Sequence, residues 1–291
     1  MPNQNSGLAP DTRGPRSMGA ILIDSGRISA DAAEQILRAQ KEKGMRFGDA
    51  GLALGLLTNE DIQFALARQF DYPYVTATDS ALSRDLVAAF KPFNSEVETL
   101  RALRSQLMLR WFDGDPARKC MAIVSPGRKE GRSYLAANLA IVTSQLGERT
   151  LLIDADLRYP VQHRLFGVQP RFGLSDILSE RASPADCVEK IASLRALSVL
   201  SAGAVPPNPQ ELLSRAQFSE LLRKLSGDFD IIVIDTPASA TTADAQIIAG
   251  RAGAALVLAR RNMTSAPQLT RLVDDLGQGN AAVVGSVLTD F

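Results

Sequence analysis

The stretch Met121-Ala-Ile-Val-Ser-Pro-Gly-Arg-Lys-Glu-Gly-Arg-Ser133 constrains this chain more than any other. Met121 to Val124 is a short apolar run of strand character, and Ser125 to Glu130 is a turn. Gly131-Arg132-Ser133 then opens a helical pattern from Tyr134 to Leu146. Strand, turn and helix in that order make a loop whose backbone N–H groups, aided by the helix dipole, can cradle phosphate oxygens. The usual pattern is Gly-x-x-x-x-Gly-Lys-Ser/Thr. Here Pro126 replaces the first glycine and Arg132 the lysine. Ser133 falls where a hydroxyl would hold Mg²⁺, and Arg132 where a cation reaches the phosphates. Taken alone, this degenerate match is also compatible with an ordinary strand–turn–helix.

Two carboxylate-ended strands strengthen the reading. Leu151-Leu-Ile-Asp154-Ala-Asp156 ends in two acids, and Ile231-Ile-Val-Ile-Asp235 ends in one. Ligands of doubly wound sheets bind beyond the carboxyl ends of parallel strands. A phosphate loop, an Asp-x-Asp and an Asp at three strand ends therefore predict a site for ATP and Mg²⁺. Gly127, Glu130, Gly131, Arg132, Ser133 and Asp235 are the expected nucleotide-binding residues, and Ser133, Asp154, Asp156 and Asp235 the metal set. Apolar runs at 197–201, 229–235, 254–259 and 281–288 alternate with helical patterns, as βαβ units require. The expected fold class is α/β: a P-loop NTPase with a doubly wound, mostly parallel sheet, and a small, mainly helical N-terminal domain.

That front segment is an internal repeat. Gly19 and Gly48, Gly26 and Gly55, and Gln40 and Gln69 are each 29 residues apart. Each unit reads as a short helix ending at glycine, then a helix capped by Ser29 or Thr58. Ile36, Leu37, Ile62, Ala65 and Leu66 are the residues expected to bury one unit against the other. The Arg46-Phe-Gly48…Gly55…Gln69 spacing resembles the N-terminal domain of type II secretion and pilus ATPases. That resemblance implies a docking module or, as some such domains do, a cyclic di-GMP site. Ser17 stands where the first copy's arginine would be.

The balance of 32 basic and 32 acidic residues gives no reason to expect nucleic acid or anionic lipid as main partner. Cys120 and Cys187, far apart and without a CxxC, suggest reduced thiols in a cytoplasmic protein. The single histidine, His163, cannot build a histidine metal cluster. The expected organisation is a disordered lead over 1–16, the repeat module over 17–76, a linker over 77–93 and the P-loop domain over 94–291.

Within the last segment, Glu98, Arg101 and Arg104 share a helix face ahead of the loop. The order Glu-x-x-Arg-x-x-Arg, Ser-Pro-x-x-x-Glu-Gly-x-Ser, Asn138-Leu-Ala140, Leu-Leu-Ile-Asp-Ala-Asp-Leu-Arg158 and Ile-Asp235-Thr-Pro is similar to the bacterial tyrosine autokinases of the exopolysaccharide chain-length-determinant type. The resemblance covers about residues 94–291. It implies an ATP-dependent protein tyrosine kinase regulating exopolysaccharide polymerisation. Asp154 would orient or deprotonate the acceptor hydroxyl, Asp156 and Asp235 would support the metal, and Arg132 would serve the phosphates. Glu98, Arg101 and Arg104 would join subunits in a homo-oligomeric ring. The membrane-spanning activator would be a separate polysaccharide copolymerase, leaving this chain peripheral to the inner membrane. No tyrosine follows Tyr159, so a partner's tyrosines are the expected acceptors. Two other readings compete: a nucleotide-gated, non-catalytic regulator, and an ATPase of the partition and division-site-positioning class, which carries an extra lysine where this chain has Gly127.

Overall fold

The computed structural model of the chain describes residues 17–70, 75 and 81–290, which fall into two compact units divided between Tyr74 and Val75. The lead over 1–16 and most of the segment joining the two units lie outside the described residues.

The first unit contains four helices: α1 (Met18–Asp24), α2 (Ala30–Lys43), α3 (Phe47–Ala53) and α4 (Asn59–Gln69). Starts 29 residues apart confirm the repeat. Gly26 and Gly55 take φ of 69° and 67°, and each closes its short helix with the paired backbone bonds of a left-handed cap. Ser17, Ser29 and Thr58 each accept a helix N–H, and Thr58 with Asp61 forms a reciprocal capping box. Ile21, Leu22, Ala33, Ile36, Phe64 and Ala65 are buried together. Leu37, expected in that core, is instead 46% exposed, because Ala33 and Ile36 face inward and turn the next position to solvent.

The second unit is a seven-stranded sheet between helices. In chain order its elements are α5 (Val87–Phe90), α6 (Ser95–Arg110), β1 (Cys120–Val124), α7 (Arg132–Ser144), β2 (Thr150–Asp154), α8 (Gln162–Leu165), α9 (Leu174–Leu178), α10 (Pro184–Cys187), β3 (Val188–Lys190), β4 (Leu197–Leu200), α11 (Pro209–Ser214), α12 (Ala216–Asp228), β5 (Ile231–Asp235), α13 (Asp244–Ala252), β6 (Ala254–Arg260), α14 (Ala266–Gln278) and β7 (Ala282–Thr289). Strand order is β3-β4-β2-β5-β1-β6-β7. Every pairing is parallel except that of β3, an edge strand not anticipated from sequence, with β4. The expected α/β fold class holds.

Strands β1, β2 and β5 are buried along their whole length because helices cover both faces. Side chains alternate between two cores. Met121, Ile123, Leu152 and Val233 pack on one side with Leu139 and Ile141 of α7. Ala122, Val124, Ile153 and Ile234 pack on the other with Phe218 and Ile248.

Residues 81–93 do not form the linker expected there. Leu86, Ala88 and Ala89 are fully buried in the second unit's core. The buried Asn138 side chain of α7 accepts from Ala88 N–H and donates to Asp85 O, while Gln145 donates to Ala88 O. Small apolar residues resemble linker composition in one dimension, yet here they are what allows close approach to α7.

Candidate active site

Insertion of β5 between β2 and β1 decides the site. It makes Asp154 and Asp235 direct register partners and sets Asp235 one strand from the phosphate loop. The loop runs from Ser125 to Gly131, with Gly131 at φ 99° as the N-cap of α7. Lys129 takes φ 60°. A side chain there costs about 1 kcal/mol in backbone strain. Its carbonyl accepts from Arg260 Nη1 at 2.8 Å, which helps fix the turn.

Glu130 and Arg132 hold the loop from inside. The buried Glu130 carboxylate accepts from Gly127 N–H at 2.7 Å and from the Thr264 hydroxyl. Arg132 is also buried; its Nε donates to Thr236 O at 2.9 Å and its Nη1 to the Ser125 hydroxyl and Gly127 O. Burial opposes its charge, while Asp235, Asp156 and Glu130 favour it. The guanidinium is therefore a strut under the loop, tied to three of the loop's surrounding oxygens.

The acids are held differently from one another. Asp154 accepts from the backbone N–H of Asp156, Val161 and Gln162, at 3.3, 3.0 and 2.9 Å. Asp156 accepts from the N–H of Arg158 and Tyr159. Asp235 is fully buried and accepts from Gln162 Nε2 at 2.7 Å, but among the described residues its Oδ1 has no hydrogen-bond partner. Burial pushes Asp235 up to about 6, against the pull of Gln162, Ser133 and Arg132. Burial and then the Asp235 charge drive Asp154 well above the usual carboxylate range.

Gln162 was not singled out from sequence, and it is the hub of the site. Its amide donates to both Ser133 O and Asp235, and its backbone to Asp154. Its signal in the sequence is only a position eight residues after Asp154. The Arg158 guanidinium pairs with buried Asp244, at 2.7 and 3.2 Å, and not with Asp156. Asp244 lies 86 residues away, so this pairing was not legible.

Among the described residues, no group of three or more His, Cys, Asp or Glu side chains converges closely enough to hold a metal unaided. Mg²⁺ at phosphate sites is held by one or two carboxylates together with substrate oxygens and water. A buried carboxylate oxygen without a partner, close to Ser133, fits that incomplete shell.

Glu98, Arg101 and Arg104 lie together on α6, apart from this site. Arg101 pairs with Glu98, and Arg104 Nη1 donates to Val142 O at 2.7 Å. His163 is half-buried, and burial holds its imidazole below the usual value.

No family model matches the chain. Individual relatives do. It is 32% identical to the tyrosine-protein kinase YwqD of Bacillus subtilis over 72% of this chain and 87% of that one. It is 31% identical to the putative tyrosine-protein kinase CapB of Staphylococcus aureus over 68% and 86%. It is 34% identical to the tyrosine-protein kinase wzc of Salmonella typhimurium over 71% of this chain but only 28% of that protein. Among solved structures, the kinase domain of Escherichia coli tyrosine kinase ETK superposes with a TM-score of 0.67 at 29% identity, covering 70% of this chain and 79% of that one. The chimerical protein CapA2B2 gives 0.65 at 28%, covering 79% and 98%.

A doubly wound sheet with a phosphate loop and paired acids at its strand ends is the P-loop nucleotide-binding class. Within it, the chain belongs to the bacterial tyrosine-protein kinases. The resemblance of the front module to secretion-ATPase domains has no counterpart in these comparisons.

Proposed function

We propose that the chain is an ATP- and Mg²⁺-dependent protein tyrosine kinase that regulates exopolysaccharide polymerisation and export. The observation that carries the reading is the pairing of buried Asp154 and Asp235 at neighbouring strand ends beside Ser133, with one Asp235 oxygen that has no hydrogen-bond partner among the described residues. Ser133, Asp154, Asp156 and Asp235 would hold Mg²⁺, which supplies charge neutralisation on the phosphates when bound. Gly127, Gly131 and the loop amides would bind the phosphates, with Glu130 and Arg132 holding the loop's shape. Phosphoryl transfer needs chiefly positioning and charge stabilisation. The acceptor tyrosine oxygen bonds to the γ-phosphorus as the bond to the bridging oxygen breaks. ADP leaves with that electron pair, and Asp154 takes the phenolic proton. Gln162 keeps Asp154 and Asp235 in register through its three bonds.

The acceptor is a tyrosine of a partner protein. Tyr134 is bound to Glu96 at 2.5 Å, and Tyr159 stacks against Arg128 of the loop. The activating partner is a membrane polysaccharide copolymerase, which keeps the chain on the cytoplasmic side of the inner membrane. Among the described residues no helix is long and apolar enough to cross a membrane. Glu98, Arg101 and Arg104 mediate a salt-sensitive ring by exchanging their internal partners for a neighbour's. The front module is a docking unit, with cyclic di-GMP as its alternative ligand, since only the second copy carries the arginine, exposed Arg46.

The test is transfer of labelled γ-phosphate to tyrosine of a copolymerase cytoplasmic segment, with and without a magnesium chelator. Label on tyrosine, abolished by the chelator and by Asp154→Asn, is the expected result. Release of free phosphate alone would instead favour the partition-type ATPase, and binding without turnover the non-catalytic regulator. Light scattering at low and high salt, on the parent and on Arg101→Ala/Arg104→Ala, tests the ring.

A further inference from the structure

The phosphate loop and the first residue of α7 carry three cations, Arg128, Lys129 and Arg132, and the structure uses them differently. Arg132 is turned inward and committed to Thr236 O, Gly127 O and the Ser125 hydroxyl. Lys129 spends its backbone on the left-handed turn and is anchored through its carbonyl by Arg260. Arg128 is exposed, and among the described residues its guanidinium makes no hydrogen bond or ion pair. It rests on the Tyr159 ring, 3.8 Å from the centroid.

Tyr159 is placed for this. Its backbone N–H donates to Asp156 at 2.9 Å, so it hangs from the Asp154–Asp156 turn, and its ring is 57% exposed. The Arg128–Tyr159 stack therefore bridges the two halves of the site, the phosphate loop and the Asp-x-Asp turn. An exposed cation–ring contact is weak. A phosphate anion that accepts charge-assisted, bidentate hydrogen bonds competes with it readily. Arg128 is also close enough to Arg132 to disfavour that residue's charge, which puts it within the electrostatic field of the site.

We propose that Arg128 is the mobile phosphate cation of this kinase, and that Tyr159 is its resting place. In this structure the guanidinium lies on the ring. With nucleotide bound it leaves the ring and pairs with the terminal phosphate, neutralising charge there while Arg132 remains a strut. Arg128 takes no part in the bonds made and broken. This inference rests on the phosphate-site reading above and adds to it the cation that replaces the usual loop lysine. The substitution of that lysine by Arg132 and the appearance of an arginine at 128 then have one explanation: the two roles of the lysine are divided between two side chains.

Calorimetric binding of Mg²⁺-ADP and of a Mg²⁺ complex of a non-hydrolysable ATP analogue decides it. The proteins compared are the full chain and its Arg128→Ala, Arg128→Lys and Tyr159→Ala variants. Arg128→Ala should weaken the ATP analogue about tenfold or more while changing ADP less than about threefold. Arg128→Lys should recover part of the loss, since it keeps charge but not the fork. Tyr159→Ala should bind the analogue as well as the parent or a few-fold more tightly, because the resting contact is gone. Equal losses for both nucleotides, no loss for either, or a Tyr159→Ala defect as large as that of Arg128→Ala would each overturn the role of Arg128. A parent that binds neither nucleotide would overturn the phosphate-site reading itself, and Arg128 with it.

Discussion

Asp154 and Asp235 stand as register partners at the ends of neighbouring parallel strands, both fully buried. Two carboxylates so close and so dry cannot both ionise cheaply without a cation. Burial first, and for Asp154 the Asp235 charge next, raise both groups. Both carboxyls are therefore harder to ionise than an exposed acid, and a cation bound between them would favour their charged forms.

A pH dependence follows. The folded Asp235 titrates at about 6, above the ordinary carboxylate value of 3.8. The folded state then binds more protons than the unfolded state between those values, so its stability falls as pH rises through about 6. Metal-free protein should be more stable at the acid end of that window than at its upper end. Asp235→Asn should shrink the slope without abolishing it, because burial still raises Asp154. Urea midpoints with chelator present measure this. Mg²⁺-nucleotide affinity should change oppositely, weakening as pH falls through the same range.

Arg132→Ala should be costly to the fold as well as to activity. It removes the donor shared by Thr236 O and the Ser125 hydroxyl, both buried, and by part-buried Gly127 O. The expected loss is about 2–4 kcal/mol. Arg132→Lys should recover part of it, since an ammonium offers donors but not the same span. Denaturant unfolding of the two variants, beside nucleotide binding, separates loop support from phosphate contact.

Lys129→Gly should stabilise the loop by about 0–1.6 kcal/mol. Relief of the positive-φ strain gains roughly 1–2 kcal/mol, and the added freedom of the unfolded chain takes back about 0.4–1 kcal/mol. Thermal melting of parent and variant measures the balance.

Asn138→Ala should loosen the 81–93 strap. It leaves Ala88 N–H buried without its acceptor and Asp85 O without a donor. A loss of about 2–3 kcal/mol is expected. In the parent, limited proteolysis should spare 82–90; in Asn138→Ala, cuts should appear there. Equal resistance of both proteins would contradict the strap's dependence on Asn138.

The sequence by itself determined the local chemistry. Alternating apolar runs specified the buried strands, the paired glycines and caps specified the 29-residue repeat, and strand-end acids marked the sheet's functional edge. These are readable because each depends on residues within a few positions of one another. Tertiary structure alone decided the rest. Gln162 became the hub because the turn after β2 folds over Asp154 toward β5, which the chain reaches 73 residues later. Arg158 found Asp244, Arg132 found Thr236 O, and the strap found Asn138, across separations of 86, 104 and 50 residues. The order in which strands insert into the sheet settles such meetings. Where several charged or small side chains have similar local options, only the completed packing chooses among them.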